Sequence, residues 1–258
     1  MNKEMIEKYF ERIGLTYNEN EPLDSELLKK LQYAHVTSVP YETTQIVDRV
    51  PLSLETDDLY KKIVTERRGG YCFELNGLFG ELLRALGFEV HEYSARFLRG
   101  EKEPPKPRHR VLAVTTNEGR FLCDVGVGSK APRHPLLMEV GVEQNQFGEA
   151  YRFEKDDFLG WVIWERNDGI WEQYFSFTEC EHLNKDFYTL SYYCENHPDS
   201  PFLNNMLSIK TDIGRITIDK NIFKVWKNNS ISSEKLLNDD ELEKYCEKYF
   251  GLSLHINK

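Results

Sequence analysis

The chain has 258 residues, which is long enough for one large domain or for two to three small ones. Apolar residues make up 40 % of it and charged residues 29 %, so a buried core is expected and a wholly disordered chain is excluded. The net charge of −10 at pH 7 argues against non-specific binding to nucleic acid or to an anionic membrane, because such binding needs clustered positive charge.

The part of the chain up to about residue 90 has the periodicity of helices. Apolar side chains recur at helical spacing in the first segment, Asp24 is expected to cap a second helix, and a third covers about residues 56–64. The fourth helix has the strongest pattern, because apolar side chains repeat every 3.6 residues from Cys72 onwards. Gly87 follows it as a helix-ending glycine.

Beyond residue 90 the hydrophobic period changes to that of strands. The segments HRVLAVTT and RFLCDVG flank a turn at residues 117–119 and predict a β-hairpin. Further strands are expected at WVIWE, IWEQYFSF, MLSIKT, RITI and IFKVW. A capping box at Asn238 then predicts a helix to about residue 250. Helices first, antiparallel strands next and a mixed end predict an α+β fold.

The sequence contains no segment typical of export or of membrane insertion. No apolar run approaches the roughly 18–20 residues of a membrane span, and the start MNKEMIEKYFERIG is polar and amphipathic, unlike a signal peptide. The five cysteines are odd in number and include no C-x-x-C pair, so neither a disulfide framework nor a zinc site is expected. These observations predict a cytoplasmic protein.

One cysteine, Cys72, lies in a setting typical of reactive thiols. It follows two glycines in RRGGYCFELN and opens the fourth predicted helix. The unpaired N–H groups and the positive dipole end of a helix N-terminus, with Arg67 and Arg68 nearby, are expected to lower a cysteine pKa from about 8.5 into the range of about 3.5–7.5. The other four cysteines have no such context. The alternative is an ordinary core cysteine at a helix start.

A reactive thiolate needs a base and a group that orients this base. His109 is the first residue of a predicted strand, and Asp124 ends the next one. If Asn117 and Glu118 form the turn, His109 faces Gly126, and Asp124 lies diagonal to His109 on the same face, about 7–8 Å away between backbones. An odd-length loop would place the two on opposite faces. A surface histidine and a turn-initiating aspartate are the alternative.

These residues lie in motifs that resemble those of the arylamine N-acetyltransferase family. The family's nucleophile motif R-G-G-x-C-x-E-x-N is matched from Arg68 to Asn76, and the similarity continues, in the family's order, at HVTSVPYE, HRVLAV, DVGVG and PDSPF. The resemblance implies a catalytic triad of Cys72, His109 and Asp124 in a cysteine-protease-like core. It also implies an N-terminal helical bundle over residues 1–90, a central antiparallel β-barrel over 91–190 and a C-terminal α/β lid over 191–258.

The chain departs from the family pattern in two places. Tyr41 and Thr43 stand in PYET where members commonly have P-F-E-N, and Val127 stands in DVGVG where they commonly have D-V-G-F-G. The triad residues are unaffected. The change at Val127 removes an aromatic side chain close to the expected acyl and acceptor pocket, so the acceptor preference is the property that this departure affects.

A positively charged segment offers an independent hint of an anionic co-substrate. Residues 95–133 carry a net charge of +5 in this acidic chain, which suits the phosphates of coenzyme A. The loop of Gly126, Val127, Gly128 and Ser129 could turn its N–H groups toward a pyrophosphate, so these four are the expected cofactor-binding residues. The short G-x-G-S-K pattern is weak, and solvated surface charge is the alternative.

The resemblance implies acetyl-CoA-dependent N-acetylation of arylamines or arylhydrazines by a ping-pong mechanism through an acetylated Cys72. Acetyl-CoA would be a co-substrate, and neither a bound cofactor nor a metal is expected. A thiol hydrolase or transglutaminase-like enzyme is an alternative, because the same Cys-His-Asp order serves those reactions. A non-catalytic small-molecule binder is a third, against which the intact triad counts. The sequence indicates neither the natural acceptor nor the oligomeric state.

Overall fold

The computed structural model describes residues 1–253, apart from the side chain of Ser129. Within this range the chain forms seven α-helices and thirteen β-strands. The helices are Lys3–Arg12 (α1), Ser25–Ser38 (α2), Thr44–Val47 (α3), Thr56–Tyr60 (α4), Cys72–Leu86 (α5), Phe187–Asn196 (α6) and Asp239–Phe250 (α7). The strands are Tyr41–Glu42 (β1), Glu89–Phe97 (β2), His109–Thr116 (β3), Gly119–Cys123 (β4), Leu136–Leu137 (β5), Gln144–Gln146 (β6), Glu149–Asp156 (β7), Gly160–Asn167 (β8), Ile170–Glu181 (β9), Met206–Thr211 (β10), Gly214–Asp219 (β11), Ile222–Lys227 (β12) and Ser230–Leu236 (β13).

Helix α2 begins and helix α5 ends at the caps that the sequence predicts, whereas the short α3 was not predicted. The carboxylate of Asp24 accepts a hydrogen bond from the N–H of Leu27 at 2.9 Å, which confirms the predicted start of α2. The third predicted helix is α4 continued by one π-helical turn at Lys61–Thr65. Helix α5 ends at Gly87, whose φ of 107° only glycine adopts readily. None of the helices in residues 1–253 combines the length and the apolar character that crossing a membrane needs.

Eight strands form one antiparallel sheet that curves into a nearly closed barrel. Their order is β5-β4-β3-β2-β9-β8-β7-β6. In the β3–β4 hairpin Thr116 pairs with Gly119, so the turn is the two residues Asn117 and Glu118 and the predicted register is confirmed. Inward-pointing side chains of the barrel form a core of their own, which includes Val111, Leu122, Phe153, Ile163 and Phe175.

A second sheet, with α7 packed on it, forms the lid. The order of its strands is β1-β10-β11-β12-β13. Ile218 and Phe223 pack against Cys246 and Phe250 of α7 in an apolar core. The edge strand β1 comes from the N-terminal part of the chain, where Tyr41 pairs with Ser208 of β10. A strand of two residues has no periodic pattern, so the sequence analysis did not predict it.

The apolar cores cross the predicted boundaries between parts of the chain. The largest core is formed by the N-terminal helices, and it also contains Phe187 and Cys194 of α6 and the nearby Phe202. Helix α6 therefore packs on the helical part although it follows the barrel in sequence. The division into units at residues 90 and 190 stays a prediction.

A buried ion pair and hydrogen bonds to backbone carbonyls join the lid to the barrel. Arg133, which follows the barrel strand β4, donates to the carbonyl oxygens of Thr211 and Gly214 in the lid and to the carboxylate of Glu149 at 3.1 Å. The Nζ atom of Lys210 donates to the other oxygen of Glu149, also at 3.1 Å. Burial lowers the pKa of Lys210 to about 8, although Glu149 acts in the opposite direction. Lys210 is therefore a titratable link between lid and barrel.

This link predicts a measurable dependence of stability on pH. Because the pKa of Lys210 is lower in the folded than in the unfolded chain, the unfolded chain binds more protons between about pH 8 and 10.5, and the stability that this group contributes rises with pH in that window. We expect the free energy of unfolding of the wild type, minus that of Lys210→Met, to increase by about 1 kcal/mol or more from pH 8 to pH 10. Urea titrations of both proteins at each pH measure this quantity. A difference that is constant with pH would contradict the assignment.

Candidate active site

The loop that precedes the nucleophile is held tightly by its surroundings. Cys72 is the first residue of α5, and Gly69 is required before it because a Cβ there would lie 2.1 Å from a backbone carbonyl oxygen of the adjacent segment. The buried guanidinium of Arg12 in α1 donates to the carbonyl oxygens of Arg67 and Arg68 at 3.2 and 3.3 Å. Helix α1 thus fixes the backbone that positions Cys72.

The predicted histidine and aspartate meet as the hairpin register requires. The Nε2 atom of His109 and the Oδ2 atom of Asp124 are 2.7 Å apart, and both residues are fully buried. The other ring nitrogen of His109, Nδ1, has no hydrogen-bond partner in the described part of the chain. His109 lines the same cavity as Cys72, so Nδ1 is available to take a proton there.

The carboxylate of Asp124 is held by hydrogen-bond donors alone. Its Oδ1 atom accepts from the side-chain amide of Asn76 at 2.9 Å and from the N–H of Gly126 at 2.8 Å, while Oδ2 faces His109. The amide oxygen of Gln32 accepts from the backbone N–H of Asp124 at 3.1 Å. The sequence analysis missed Gln32. The feature that could have identified Gln32 is its place as a polar residue among the leucines on the buried face of α2.

The charge state of Cys72 differs from the expectation based on its helix. Cys72 is 2 % exposed, and burial raises the pKa of its thiol, as do the nearby Cys194 and Asp124, whereas backbone hydrogen bonds from Arg110 and Phe73 lower it. The expectation of a lowered pKa is therefore wrong for the resting site. Desolvation outweighs the helix N-terminus, so the protonated thiol is favoured in the resting site.

The two arginines that precede the nucleophile do not supply the expected positive charge. The guanidinium of Arg68 donates to Glu42 at 3.2 Å and to the hydroxyl of Thr44 at 2.8 Å. Arg67 contributes its backbone carbonyl to Arg12. The charge of Arg68 is thus compensated by Glu42 and is not free to stabilise a thiolate.

Cys72 and His109 open into a cavity of about 370 Å³ between barrel, helices and lid. Its apolar wall includes Tyr41, Val127 and other side chains, so two of the positions that depart from the family pattern lie in the pocket. The third, Thr43, lies behind the pocket wall, where its hydroxyl donates to the carbonyl oxygen of Asn204 at 2.8 Å. Two of the three residues that depart from the family pattern therefore contribute to the shape of the cavity.

The four expected cofactor-binding residues have different surroundings. Gly126 and Val127 line the cavity. Gly128 has a φ of 74° and lies against the ring of Tyr41, from which a Cβ would be 3.0 Å away. Ser129 lies outside the described side chains. Of the four expected residues, Gly126 and Val127 are therefore the two that lie at the cavity beside Cys72.

Six of the nine basic residues of segment 95–133 are paired with glutamates, of which Glu101 belongs to the segment itself and the others lie outside it. Ion pairs join Arg99 and Lys130 to Glu165, Arg108 to Glu101, Arg110 to Glu92, Arg120 to Glu179 and Arg133 to Glu149. Of the segment's nine basic residues, Arg108 lines the cavity. The net charge of the segment therefore does not describe the field at Cys72.

The family model, the curated relatives and the solved structures that this chain resembles are all N-acetyltransferases. The family model described as N-acetyltransferase matches residues 24–258. The arylamine N-acetyltransferase of Mycolicibacterium smegmatis is 33 % identical over 219 residues, which are 81 % of this chain and 78 % of that protein. The structure of the Salmonella typhimurium arylamine N-acetyltransferase superposes with a TM-score of 0.93 at 25 % identity, covering 100 % of this chain and 94 % of that one.

A ligand complex is also among the similar structures. The Mycobacterium marinum arylamine N-acetyltransferase in complex with CoA has a TM-score of 0.87 and 29 % identity, and the match covers 95 % of this chain and 91 % of that one. These likenesses extend over all parts of the fold. They confirm the predicted α+β class with helical bundle, barrel and lid.

Proposed function

We propose, from the premise that this chain belongs to the arylamine N-acetyltransferase family, that Cys72, His109 and Asp124 carry out its acetyl transfer. The activity is the acetyl-CoA-dependent acetylation of arylamines. One observation supports the proposed roles above all: the buried His109–Asp124 pair leaves Nδ1 of His109 unpartnered in the cavity that contains Cys72. The cytoplasm, where acetyl-CoA is available, is the proposed location.

The first half-reaction acetylates the enzyme. Nδ1 of His109 takes the proton of the Cys72 thiol, and the Sγ thiolate attacks the carbonyl carbon of the thioester. Asp124 accepts a hydrogen bond from Nε2–H and stabilises the imidazolium. Backbone N–H groups, including that of Cys72, stabilise the oxyanion. The carbon–sulfur bond to CoA then breaks, and the CoA sulfur leaves with the proton from His109. Gly126 and Val127 are proposed to contact the donor.

The second half-reaction returns the free enzyme. The amine attacks the carbonyl carbon of acetyl-Cys72, and Nδ1 of His109 accepts the proton that the amine loses. The bond from carbon to Sγ breaks, the acetylated amine leaves, and His109 returns its proton to the thiolate. Burial of Cys72 has a use here, because a dry site disfavours hydrolysis of the acyl-enzyme.

Ping-pong kinetics test this route. We expect acetyl-CoA alone to increase the mass of the protein by one acetyl group located on Cys72, and an aromatic amine to remove it. Double-reciprocal plots for both substrates should be parallel, since CoA leaves before the amine reacts. Intersecting lines would reject the covalent route. Loss of the acetyl group at an equal rate without amine would instead favour the thiol hydrolase alternative.

A further inference from the structure

The side chain of Gln32 closes a loop of the active site at both ends. Gln32 is a fully buried amide on the apolar face of α2. Its oxygen accepts a hydrogen bond from the backbone N–H of Asp124 at 3.1 Å, and its nitrogen donates to the carbonyl oxygen of Pro132 at 2.9 Å. Burying an amide is unfavourable unless both of its ends are hydrogen-bonded, and here both ends bond the backbone of residues 124–132.

The N–H of Asp124 needs this partner because the strand ladder ends before it. The pairing of β4 with β3 ends at Cys123, and the pairing of β4 with β5 ends at Leu122. A buried backbone N–H without an acceptor is destabilising, so the amide oxygen of Gln32 takes the place of a neighbouring strand. A leucine at this position of α2 would suit the helix but would offer no acceptor to Asp124.

Asp124 is held from two sides by two different helices. Asn76 of α5, the helix that carries the nucleophile, donates to the carboxylate of Asp124 at 2.9 Å and accepts from the N–H of Val125 at 2.9 Å. Gln32 of α2 holds the backbone N–H of Asp124 itself. Because the backbone is fixed at one point and the carboxylate at another, the direction in which the carboxylate meets Nε2 of His109 is fixed as well.

A second contact keeps α2 in place against the β3–β4 hairpin. The carboxylate of Glu118, in the turn of this hairpin, accepts a hydrogen bond from the N–H of Ser25 at the start of α2 at 2.7 Å. Helix α2 therefore contacts the hairpin at its turn and again at the end of β4. Two contacts along one helix set the position of Gln32 relative to Asp124.

We propose that Gln32 is a positioning residue of the reaction, which fixes the backbone of Asp124 and thereby the orientation in which His109 takes the proton of Cys72. Gln32 lies behind the cavity wall and acts through Asp124. A displacement of about 1 Å in a reacting group can cost about 100-fold in rate, so a side chain at this place affects the chemical step. This inference rests on the proposed roles of the three triad residues.

The test measures how the reactivity of Cys72 depends on pH. Iodoacetamide alkylates the thiolate, and mass spectrometry of the Cys72 peptide follows the rate without acetyl-CoA. Gln32→Met keeps the length of the side chain and removes both hydrogen bonds. We expect its alkylation profile to move to higher pH, so that Cys72 reacts about tenfold more slowly at neutral pH, because a loosely held Asp124 stabilises the imidazolium less. Acetylation should slow to a similar extent, with an unchanged acetyl-CoA concentration at half-maximal rate.

Gln144→Met is the matched control. The side chain of Gln144 also bonds the backbone at both of its ends, since it accepts from the N–H of Leu137 at 2.7 Å and donates to the carbonyl oxygen of Leu137 at 2.8 Å. These bonds hold strand β5 and not Asp124. Thermal unfolding should show a loss of stability in this variant, and its alkylation profile should equal that of the wild type.

Gln32→Glu gives a rescue that depends on pH. A protonated carboxyl group has a carbonyl oxygen for the N–H of Asp124 and an O–H for the carbonyl of Pro132, whereas a carboxylate has acceptors only. Burial beside Asp124 favours the protonated form. We expect the alkylation rate of Gln32→Glu, divided by that of the wild type, to be near 1 at about pH 6 and to fall toward about pH 8 as the new carboxyl ionises.

The same alkylation profile in Gln32→Met and Gln144→Met, whether shifted or not, would restrict Gln32 to a role in stability and overturn the inference. If Gln32→Met does not fold, Gln32→Glu decides, because a rate ratio that is constant with pH contradicts a positioning role. If acetyl-CoA does not modify Cys72 of the wild type, the proposed function fails. The alkylation profiles then still decide about Gln32, since they need no acetyl transfer.

Discussion

Replacing Cys72 by alanine is expected to abolish acetyl transfer, with a loss of at least about 10⁴-fold in turnover, because both half-reactions pass through the Cys72 sulfur. The substitution removes one buried sulfur atom at a helix start and should cost no more than about 1–2 kcal/mol of stability. Mass spectrometry after incubation with acetyl-CoA should show no acetyl group on the variant, and thermal unfolding should show that it is folded.

The matched control for this variant is Cys246→Ala. Cys246 is also fully buried, but it lies in the lid core against Ile218 and Phe223, away from the cavity. Its replacement should lower stability by a similar amount and leave acetylation of Cys72 intact. More than about 1 % of wild-type turnover in Cys72→Ala would show that another group is the nucleophile.

Replacing Asp124 by asparagine is expected to lower the rate of Cys72 acetylation at least about 100-fold. An asparagine amide has one acceptor, whereas His109, Asn76 and the N–H of Gly126 all donate to the carboxylate. If the amide oxygen faces His109, the amide nitrogen meets two donors. If the nitrogen faces His109, the imidazole must carry its proton on Nδ1, where it cannot accept one from the thiol. A comparable change in a serine triad costs about 10⁴-fold.

A structural role of Asp124 makes a different prediction. An aspartate that merely initiates the glycine-rich turn is replaced by asparagine with little effect, since asparagine serves turns well. Asp168→Asn, in the exposed two-residue turn between β8 and β9, is the control for that role. Acetylation of Cys72 at a rate close to wild type in Asp124→Asn would leave His109 without its orienting group and would refute the triad.

The sequence was sufficient to predict the part of the site that depends on local chain geometry. Two residues in the turn fix the register of the β3–β4 hairpin, and this register brings His109 and Asp124 to one face. The position of Cys72 at a helix start followed from the 3.6-residue period and from the two glycines before it. Both inferences use residues that lie within about one helix or one hairpin of each other along the chain.

Properties that depend on long-range packing were not accessible in this way. The helix start of Cys72 suggested a lowered pKa, but the burial that reverses its direction is produced by side chains from several distant segments. The net charge of residues 95–133 suggested a positive electrostatic potential that would attract an anionic co-substrate. Glutamates of other strands, such as Glu165 and Glu179, neutralise part of this charge. Arg215 stood in an ordinary strand pattern, RITI, and only the fold places it at the cavity.

The pairing of β1 with the lid has a consequence for the order in which the protein becomes active during synthesis. The hydroxyl of Thr43 accepts a hydrogen bond from the N–H of Met206, which is 163 positions later in the chain. A ribosome releases the helix that carries Cys72 long before β10, whose residues 206–208 line the same cavity as Cys72. Until β10 emerges, the cavity beside Cys72 lacks its lid-side wall, and oxidants and electrophiles reach the thiol more easily than in the finished protein.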